Sequence, residues 1–286
     1  MNNIFHVFSK GENVLFRTED DYRFFNNKFA TSCYAYQIQP LAQTTLSTHF
    51  HAIVETAEKT AVDDFLTKLR KAYAIKYVAT YAPLPSNAFE ISRLEISGIE
   101  TVKNELLYVM KNPVHHYITS FPLEYPYSSV GYLFMDKLVS HQILEAFAQQ
   151  TFPVTQLKSS HRKHLLGSDP VPNHWRLSKD QMILPCDYIN QTRTRAFWGN
   201  NVKNFLYDIN KNQMDAKKEI ICADILDLRA SSQSDIEVCQ MIDRYTSEEA
   251  GVKSFHQLSR TSLNSLVRIL KHKAIPELQI KRTLWL

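Results

Sequence analysis

The chain has 286 residues, of which 44% are hydrophobic and 22% are charged, and its formal net charge is +4. This composition is typical of a chain that folds around a hydrophobic core, and it excludes global disorder. No apolar run approaches the ~18 residues that a membrane-spanning helix needs. The N-terminus also lacks the basic and apolar stretches of a secretory signal. We therefore expect a cytoplasmic protein without a membrane partner.

Cysteine and glycine usage excludes several kinds of site. The four cysteines are far apart and form no Cys-x-x-Cys pair, so the sequence indicates neither a zinc ribbon nor a disulfide framework. We expect them to be reduced and mostly buried. With six glycines and neither GxGxxG nor GxxxxGK[ST], the chain is not expected to bind a nucleotide cofactor of the Rossmann or P-loop kind.

Hydrophobic periodicity over the first 115 residues predicts a small α+β domain. Its elements follow the order β-α-β-β-α-β-α, with strands at residues 4–8, 33–38, 46–55 and 89–96 and helices at 18–30, from 60 onward and from 98 to 113. Thr60, with Asp63 three residues later, predicts a variant of the capping box. The first six elements match the ferredoxin-like split βαβ fold, whose sheet has one face covered by helices and one face free.

Two histidines alternate on the third predicted strand, in the segment Thr48-His49-Phe50-His51-Ala52. Because alternate residues of a strand point to the same face, we expect His49 and His51 to project together while Phe50 points into the core. Two neighbouring imidazoles are suited to bind one metal ion. Two polar residues on a solvated strand face would show the same pattern.

Tyr108 and Asn112 lie four residues apart on the helix that is predicted to end at Pro113. Residues at this spacing lie one above the other on a helix. The apolar stripe of the helix passes through Leu106 and Val109, and Tyr108 lies roughly 120° from its centre. The Tyr108 hydroxyl can therefore face a site, with the Asn112 amide beside it as an oxygen donor. A boundary tyrosine with a solvated hydroxyl is the alternative.

The His-hydrophobic-His strand, followed by Tyr108-x-x-x-Asn112-Pro113 at a helix end, resembles the single-tyrosine HUH transposases, and among them the REP-associated tyrosine transposases. Shorter matching segments are residues 6–8, 14–16, 20–22 and 125–129. The resemblance covers residues 1–130. The family usually has Met-Pro-Asn before its histidine pair, where this chain has Leu46-Ser47-Thr48.

The resemblance implies an HUH catalytic domain over residues 1–130, with a site for DNA chemistry. Tyr108 would attack a DNA phosphodiester and form a 5′-phosphotyrosyl link. A divalent metal ion, Mg²⁺ or Mn²⁺, would be bound by His49, His51 and Asn112 and would polarise the scissile phosphate. Lys111 is next to this cluster in sequence and is a candidate phosphate contact, although a solvated lysine is the alternative.

Residues 131–230 form a basic extension for which the sequence predicts no clear fold. Within it, Arg193 and Arg195 alternate with threonines and precede Phe197 and Trp198. This mixture of cations and aromatic rings is suited to a nucleic-acid strand. An amphipathic surface segment explains it equally well.

Residues 231–286 predict a helical DNA-binding segment. Helices are expected over residues 234–246 and 262–272 and after Pro276, and the last two resemble a helix-turn-helix in which Gln279, Lys281 and Arg282 are exposed. Residues 251–286 carry a balance of +6, whereas residues 1–130 carry −1. Such a basic segment suggests a phosphate-facing surface, and a solvated helical face is the alternative.

We therefore expect a transposase-like endonuclease and strand transferase that acts on single-stranded DNA, with a hairpin in the substrate. The resemblance also allows a homodimer. Two other functions fit the same residues: a catalytically inactive or regulatory DNA-binding protein of this fold, and a relative of the relaxases and replication initiators.

Overall fold

The computed structural model of the chain describes residues 2–81, 89–211 and 233–286. Its first part contains β1 (Asn3–Lys10), α1 (Glu19–Ala35), β2 (Gln39–Thr45), β3 (Phe50–Thr56), α2 (Lys59–Thr80), β4 (Glu90–Ile96) and α3 (Ile99–His115). This element order is the one that the hydrophobic periodicity predicted.

The remainder of the described chain is mainly helical. It contains α4 (Met135–Leu138), α5 (His141–Gln149), β5 (Phe152–Pro153), α6 (Ser159–Leu166), β6 (Arg176–Leu177), α7 (Pro185–Tyr188), α8 (Gln191–Ala196), α9 (Val202–Asn210), α10 (Asp235–Arg244), α11 (Arg260–His272) and α12 (Glu277–Leu284). Short 3-10 turns join several of these elements, and a π-helical turn, Tyr245–Glu249, follows α10.

The strand predicted over residues 33–38 is wrong, because α1 continues to Ala35 and β2 begins only at Gln39. Phe25, Phe29 and Cys33 repeat every four residues and are all buried in the core, so the helical period continues through the segment. The helix begins with a capping box in which Thr18 and Asp21 bond each other's backbone N–H groups.

Three other predicted element ends differ from the observed ones. No side chain caps α2, which begins at Lys59, so the predicted capping box at Thr60 does not form. Residues 46–49 form a turn that the Leu46 N–H closes on the His49 carbonyl, so His49 lies just before β3. Pro113 lies inside α3, and the next turn still closes because the His116 N–H bonds the Asn112 carbonyl.

The four long strands form one antiparallel sheet in the order β2-β3-β1-β4. One face of the sheet is covered by α1 and α2. The buried residues between them include Phe5, Val7, Phe25, Phe29, Phe50, Phe65 and Tyr73. Much of this core is aromatic, so these two helices are held by extensive ring-to-ring packing.

The expected free face of the sheet is covered over β2 and β3 by α3. The apolar residues in this second core include Ile53, Leu106, Val109, Phe134, Trp198 and Phe205. The predicted free face is therefore wrong there, because α3 and the segment around α9 cover it with apolar side chains. The predicted domain boundary at residue 130 stays a prediction, and residues from both sides of it share this core.

Helices α10 to α12 form a third core and contact the first half of the chain. The Val14 N–H donates to the Arg282 carbonyl, and the Trp285 indole donates to the Val14 carbonyl, at 2.8 and 3.0 Å. Arg17 is fully buried and bonds the Thr283 carbonyl and the Asp243 carboxylate. The C-terminal helices are thus bound to the segment that precedes α1.

Three of the cysteines, Cys33, Cys186 and Cys239, are free thiols, and Cys222 lies outside the described residues.

Among the helices that the structure describes, none combines the length and the apolar character needed to cross a bilayer.

Candidate functional site

The site is built where α3 crosses the second face of the sheet. His6 is on β1 and His51 is on the neighbouring β3, and their ring centroids are 5.1 Å apart. Tyr108 and Asn112 are four residues apart on α3 and lie against these strands. Because α3 packs on β2 and β3, residues that are distant in sequence meet on one face.

The predicted nucleophile and the predicted metal ligands come together in the structure. The ring of Tyr108 lies 5.2 Å from that of His51, and the ring of His51 lies 5.1 Å from that of His49, measured between centroids. His49 in turn lies 3.3 Å from Asn112, measured from Nε2 to Oδ1. Tyr108, His51, His49 and Asn112 therefore form one cluster.

A hydrogen-bonded chain orients His51. A carboxylate oxygen of Glu105 lies 2.8 Å from His6 Nδ1, and His6 Nε2 lies 2.9 Å from His51 Nδ1. With neutral imidazoles, His6 donates from Nδ1 to Glu105 and accepts at Nε2 from His51. The Nε2 lone pair of His51 then remains available for a cation. Such carboxylate-to-imidazole contacts commonly fix the ring and tautomer of a metal ligand.

The two predicted histidine ligands are neutral at pH 7. Burial, together with the neighbouring imidazoles His49, His6 and His116, lowers the pKa of His51 to about 2. Burial and His116 lower the pKa of His49 to about 4, against the opposing effect of Asn112. Metal ions bind the neutral form of imidazole, so both groups are in the protonation state that a ligand requires.

The donor set fits a divalent cation only in part. Within the described ranges, no three or more His, Cys, Asp or Glu side chains are arranged to bind a metal ion together. Two imidazoles and the Asn112 oxygen are the remaining candidates, and all three are uncharged. Imidazole nitrogens and an amide oxygen suit Mn²⁺ better than Mg²⁺, which prefers oxygen ligands. An anionic ligand would supply the missing negative charge.

Asn112 is fully buried, and its amide nitrogen Nδ2 has no hydrogen-bond partner in the described structure. A buried amide without a partner costs about 1–3 kcal/mol of stability. Such a cost is typical of functional sites, where a bound group completes the hydrogen bonding. The burial of Asn112 also holds its Oδ1 beside His49.

Tyr108 is 41% exposed, so its ring is open to a substrate on one side. Burial of the remainder and the negative charge of Glu105 raise the pKa of Tyr108, and Asn112 partly opposes this rise. The phenol is therefore protonated at neutral pH.

Four residues near the site were not predicted as functional: His6, Glu105, His115 and His116. The ring of His115 lies 5.8 Å from that of Tyr108, and the ring of His116 lies 4.9 Å from that of His49. The spacing on α3 could have indicated two of these residues, because Glu105 lies three residues before Tyr108 and His115 lies seven residues after it. Such positions share one helix face.

Lys111 does not reach the site. It is buried, and its Nζ donates to the backbone carbonyls of Asp208 and Lys211, each at 2.7 Å. These carbonyls belong to the C-terminal end of α9, where a lysine ammonium is a favourable cap. In this position the ammonium is held by the protein itself, and a phosphate contact of Lys111 stays a prediction.

Arg193 and Arg195 lie on α8 and bind acidic side chains of the protein. Arg193 Nε lies 3.3 Å from a Glu55 carboxylate oxygen, and Arg195 Nη2 lies 2.6 Å from Asp136 Oδ1. The neighbouring Trp198 is buried in the second core. These contacts fit the alternative of a packed amphipathic segment, and DNA binding by the two arginines stays a prediction.

The exposure predicted for the last helix is wrong at two of three residues. Gln279 is buried and donates to Asp235 Oδ1 at 3.0 Å, and Arg282 donates to the same oxygen at 2.6 Å. Lys281 is exposed and lies 3.0 Å from Glu277. The face of α12 that a recognition helix would present to DNA is thus turned toward α10, where it completes the third core.

Comparisons with protein-family models and with curated proteins gave no match. A solved structure described as "Structure of the REP associates tyrosine transposase bound to a REP hairpin" is similar at a TM-score of 0.40 and 14% identity. The similarity covers 49% of this chain and 82% of that one. Family membership does not follow from a likeness of this extent, and the function proposed below rests on the residues of the site.

Proposed function

We propose that the protein is a metal-dependent endonuclease and strand transferase for single-stranded DNA, in which Tyr108 is the nucleophile. The supporting observation is that Tyr108 lies over His51, 5.2 Å between ring centroids, although α3 and β3 are far apart in sequence. For the fold we propose the ferredoxin-like HUH arrangement, because β3 separates β1 from β2 as in a split βαβ unit.

In the proposed reaction the Tyr108 oxygen forms a bond to phosphorus, and the bond from phosphorus to the 3′-oxygen breaks. The phenol proton is lost, and the departing 3′-oxygen takes up a proton to become a hydroxyl. The strand whose 5′-oxygen carries the phosphate, on the 3′ side of the broken bond, remains attached as a 5′-phosphotyrosine. Because a phenol with a pKa of about 10 leaves more readily than an alcohol, the 3′-hydroxyl of another strand can reverse the step and complete strand transfer.

Residues around Tyr108 take separate roles in this proposal. His49, His51 and Asn112 would hold the divalent cation, which polarises the scissile phosphate when it is bound. Glu105 and His6 orient the His51 ring. The exposed side of Tyr108 admits the DNA strand, while the buried side is held against the sheet.

The test is formation of a covalent adduct. Full-length protein is incubated with an end-labelled, hairpin-containing single strand and Mn²⁺ or Mg²⁺, and the mixture is resolved on a denaturing gel. We expect an adduct with the wild type and none with Tyr108→Phe, whereas Tyr207→Phe, which changes an exposed tyrosine on α9, should behave like the wild type.

Other outcomes separate the alternatives. DNA binding without any adduct in the wild type would favour the regulatory DNA-binding protein. An undiminished adduct in Tyr108→Phe would show that another tyrosine is the nucleophile. Loss of the adduct on addition of EDTA is expected, and persistence of the adduct would contradict the metal requirement.

A further inference from the structure

A cavity of about 340 Å³ lies between the first 130 residues and the C-terminal helices. Its walls include Ser47, Thr48, His116 and Tyr127 on one side and Asp235 and Arg282 on the other. Small-molecule sites have volumes of roughly 300–1,000 Å³, so this cavity is at the small end of the range. It has room for one nucleotide and not for a longer stretch of DNA.

The cavity shares a wall with the candidate site. Thr48, which lines it, lies 2.7 Å from His49, measured from Oγ1 to Nδ1. His116 also lines it, and its ring packs against that of His49. A strand with one phosphate at His49 and His51 would therefore place a neighbouring nucleotide at the mouth of this cavity.

Aromatic side chains give the cavity the chemistry of a base-binding site. Tyr22, Tyr125 and Tyr127 all line it. Tyr22 and Tyr127 stack with their centroids 3.9 Å apart and their planes 18° apart, so this part of the wall is rigid. Stacking on aromatic side chains is the main way in which proteins hold the unpaired bases of a single strand.

Arg282 adds a fixed group of hydrogen-bond donors. Asp235 Oδ1 accepts from Nε and Nη2 of Arg282, at 3.1 and 2.6 Å, which fixes the guanidinium against the cavity wall. Its Nη1 makes no hydrogen bond to any residue that the structure describes. An arginine held in this way can donate to the acceptor atoms of a base or to a phosphate oxygen.

We infer that this cavity binds one unpaired nucleotide of the DNA strand, next to the phosphate that Tyr108 attacks. The placement of the strand rests on the proposed function, whereas the cavity and its lining do not. The C-terminal helices would then contribute to substrate binding through this pocket and not through an exposed recognition helix.

The experiment is an abasic scan by fluorescence anisotropy. Full-length Tyr108→Phe protein with Mn²⁺ is titrated with hairpin oligonucleotides whose unpaired flanking bases are removed one at a time. We expect one position at which removal of the base weakens binding by at least about fivefold, the low end of what one stacked base contributes. Equal effects at every position, or no effect at any, would overturn the inference.

Two pairs of variants locate this effect. Ile118 lines the cavity and is 47% exposed, so Ile118→Trp should fill it and remove the sensitivity at that position. Ile99→Trp, at an exposed residue outside the cavity, should retain it. Arg282→Ala should weaken binding of the intact flank, and Lys71→Ala, at an exposed lysine of α2 outside the cavity, should not. Equal behaviour of both members of each pair would contradict the inference.

This result can be separated from that of the adduct assay. Adduct formation by the wild type without a single sensitive position would refute the pocket and leave the proposed function standing. A sensitive position without any adduct would refute the catalytic proposal and leave the nucleotide pocket standing.

Discussion

His6 contacts His51 and Glu105 contacts His6, and together they decide how the His51 ring is presented, although neither is a proposed metal ligand. Because Glu105 is a carboxylate and cannot donate, His6 must donate from Nδ1 to Glu105 and accept at Nε2 from His51. The chain therefore turns the lone pair of His51 Nε2 away from His6. Loss of either member would let the ring turn or change its tautomer.

We predict that Glu105→Ala weakens binding of Mn²⁺ by about 10–100-fold, the usual effect of removing such a contact. Isothermal titration calorimetry of the full chain with Mn²⁺ measures it without any catalytic readout. Glu100→Ala changes an exposed glutamate on the same helix and should leave the affinity unchanged. Equal affinities for all three proteins would show that the Glu105 contact does not support a metal ligand.

Sequence reasoning predicted residues that the structure brings together around Tyr108, but not the residues that contact and support them, for a physical reason. Alternation brings His51 of β3 and His49, just before that strand, to one face. Helical spacing brings Tyr108 and Asn112 together, and both are local rules. The contact of His6 with Glu105 joins a strand to a helix nearly one hundred residues away. Local periodicity does not contain that pairing.

Lys111 shows the same limit of local rules, since both its partners are carbonyls about one hundred residues further along the chain.

We predict that Lys111→Met lowers the free energy of unfolding by about 1–3 kcal/mol, because the carbonyls at the end of α9 lose their buried donor. Urea unfolding measures the change, and Lys71→Met, at an exposed lysine, serves as the control. Weaker DNA binding at unchanged stability would instead place Lys111 on a phosphate.

At the scale of the element, the order of strands and helices was predictable, but the ends and the faces were less so. The tyrosines at positions 34 and 36 favour a strand by propensity, whereas packing of Cys33 in the core extends α1 through Tyr34 to Ala35. The polar face of α12 was expected to be exposed. Burial of Gln279 depends on Asp235, which lies on another helix.

Two of the unpaired cations of the C-terminal segment, Arg260 and Arg268, lie on α11. Arg260, Asn264 and Arg268 repeat every four residues and are exposed, and neither arginine forms an ion pair within the described residues. If this face meets DNA, each arginine should contribute about one unit to the slope of log K against log [salt]. We predict that Arg260→Ala and Arg268→Ala each reduce the slope by that amount.

Lys281→Ala provides the control for this measurement, because Lys281 already lies beside Glu277. Binding to one hairpin oligonucleotide at several salt concentrations gives the slopes. Slopes that are unchanged in both arginine variants would identify the α11 face as an ordinary solvated surface.

At the scale of the whole molecule, the C-terminal helices and the first half of the chain share buried polar contacts. Arg17 donates to the Thr283 carbonyl at 2.8 Å and to Asp243 at 2.9 Å, and its guanidinium stacks on Phe255 at 4.0 Å from the ring centroid. The two parts should therefore unfold together.

We predict a single urea unfolding transition for the full chain, whether it is followed by tryptophan fluorescence or by circular dichroism. Arg17→Ala should lower its free energy of unfolding by about 1–3 kcal/mol, because buried acceptors lose a charged donor. Arg23→Ala, at a partly exposed arginine, should cost less than about 1 kcal/mol. Two separate transitions in the wild type would show that the C-terminal helices fold independently.

The central claim is that Tyr108 forms the covalent link to DNA, and mass spectrometry of the adduct tests it most directly. The wild-type protein is reacted with a hairpin-containing single strand and Mn²⁺, digested with protease and nuclease, and searched for peptides that carry a nucleotide. We predict that the modification lies on Tyr108, in the peptide from α3. A nucleotide on another tyrosine, or no modified peptide from protein that binds the strand, would contradict the claim.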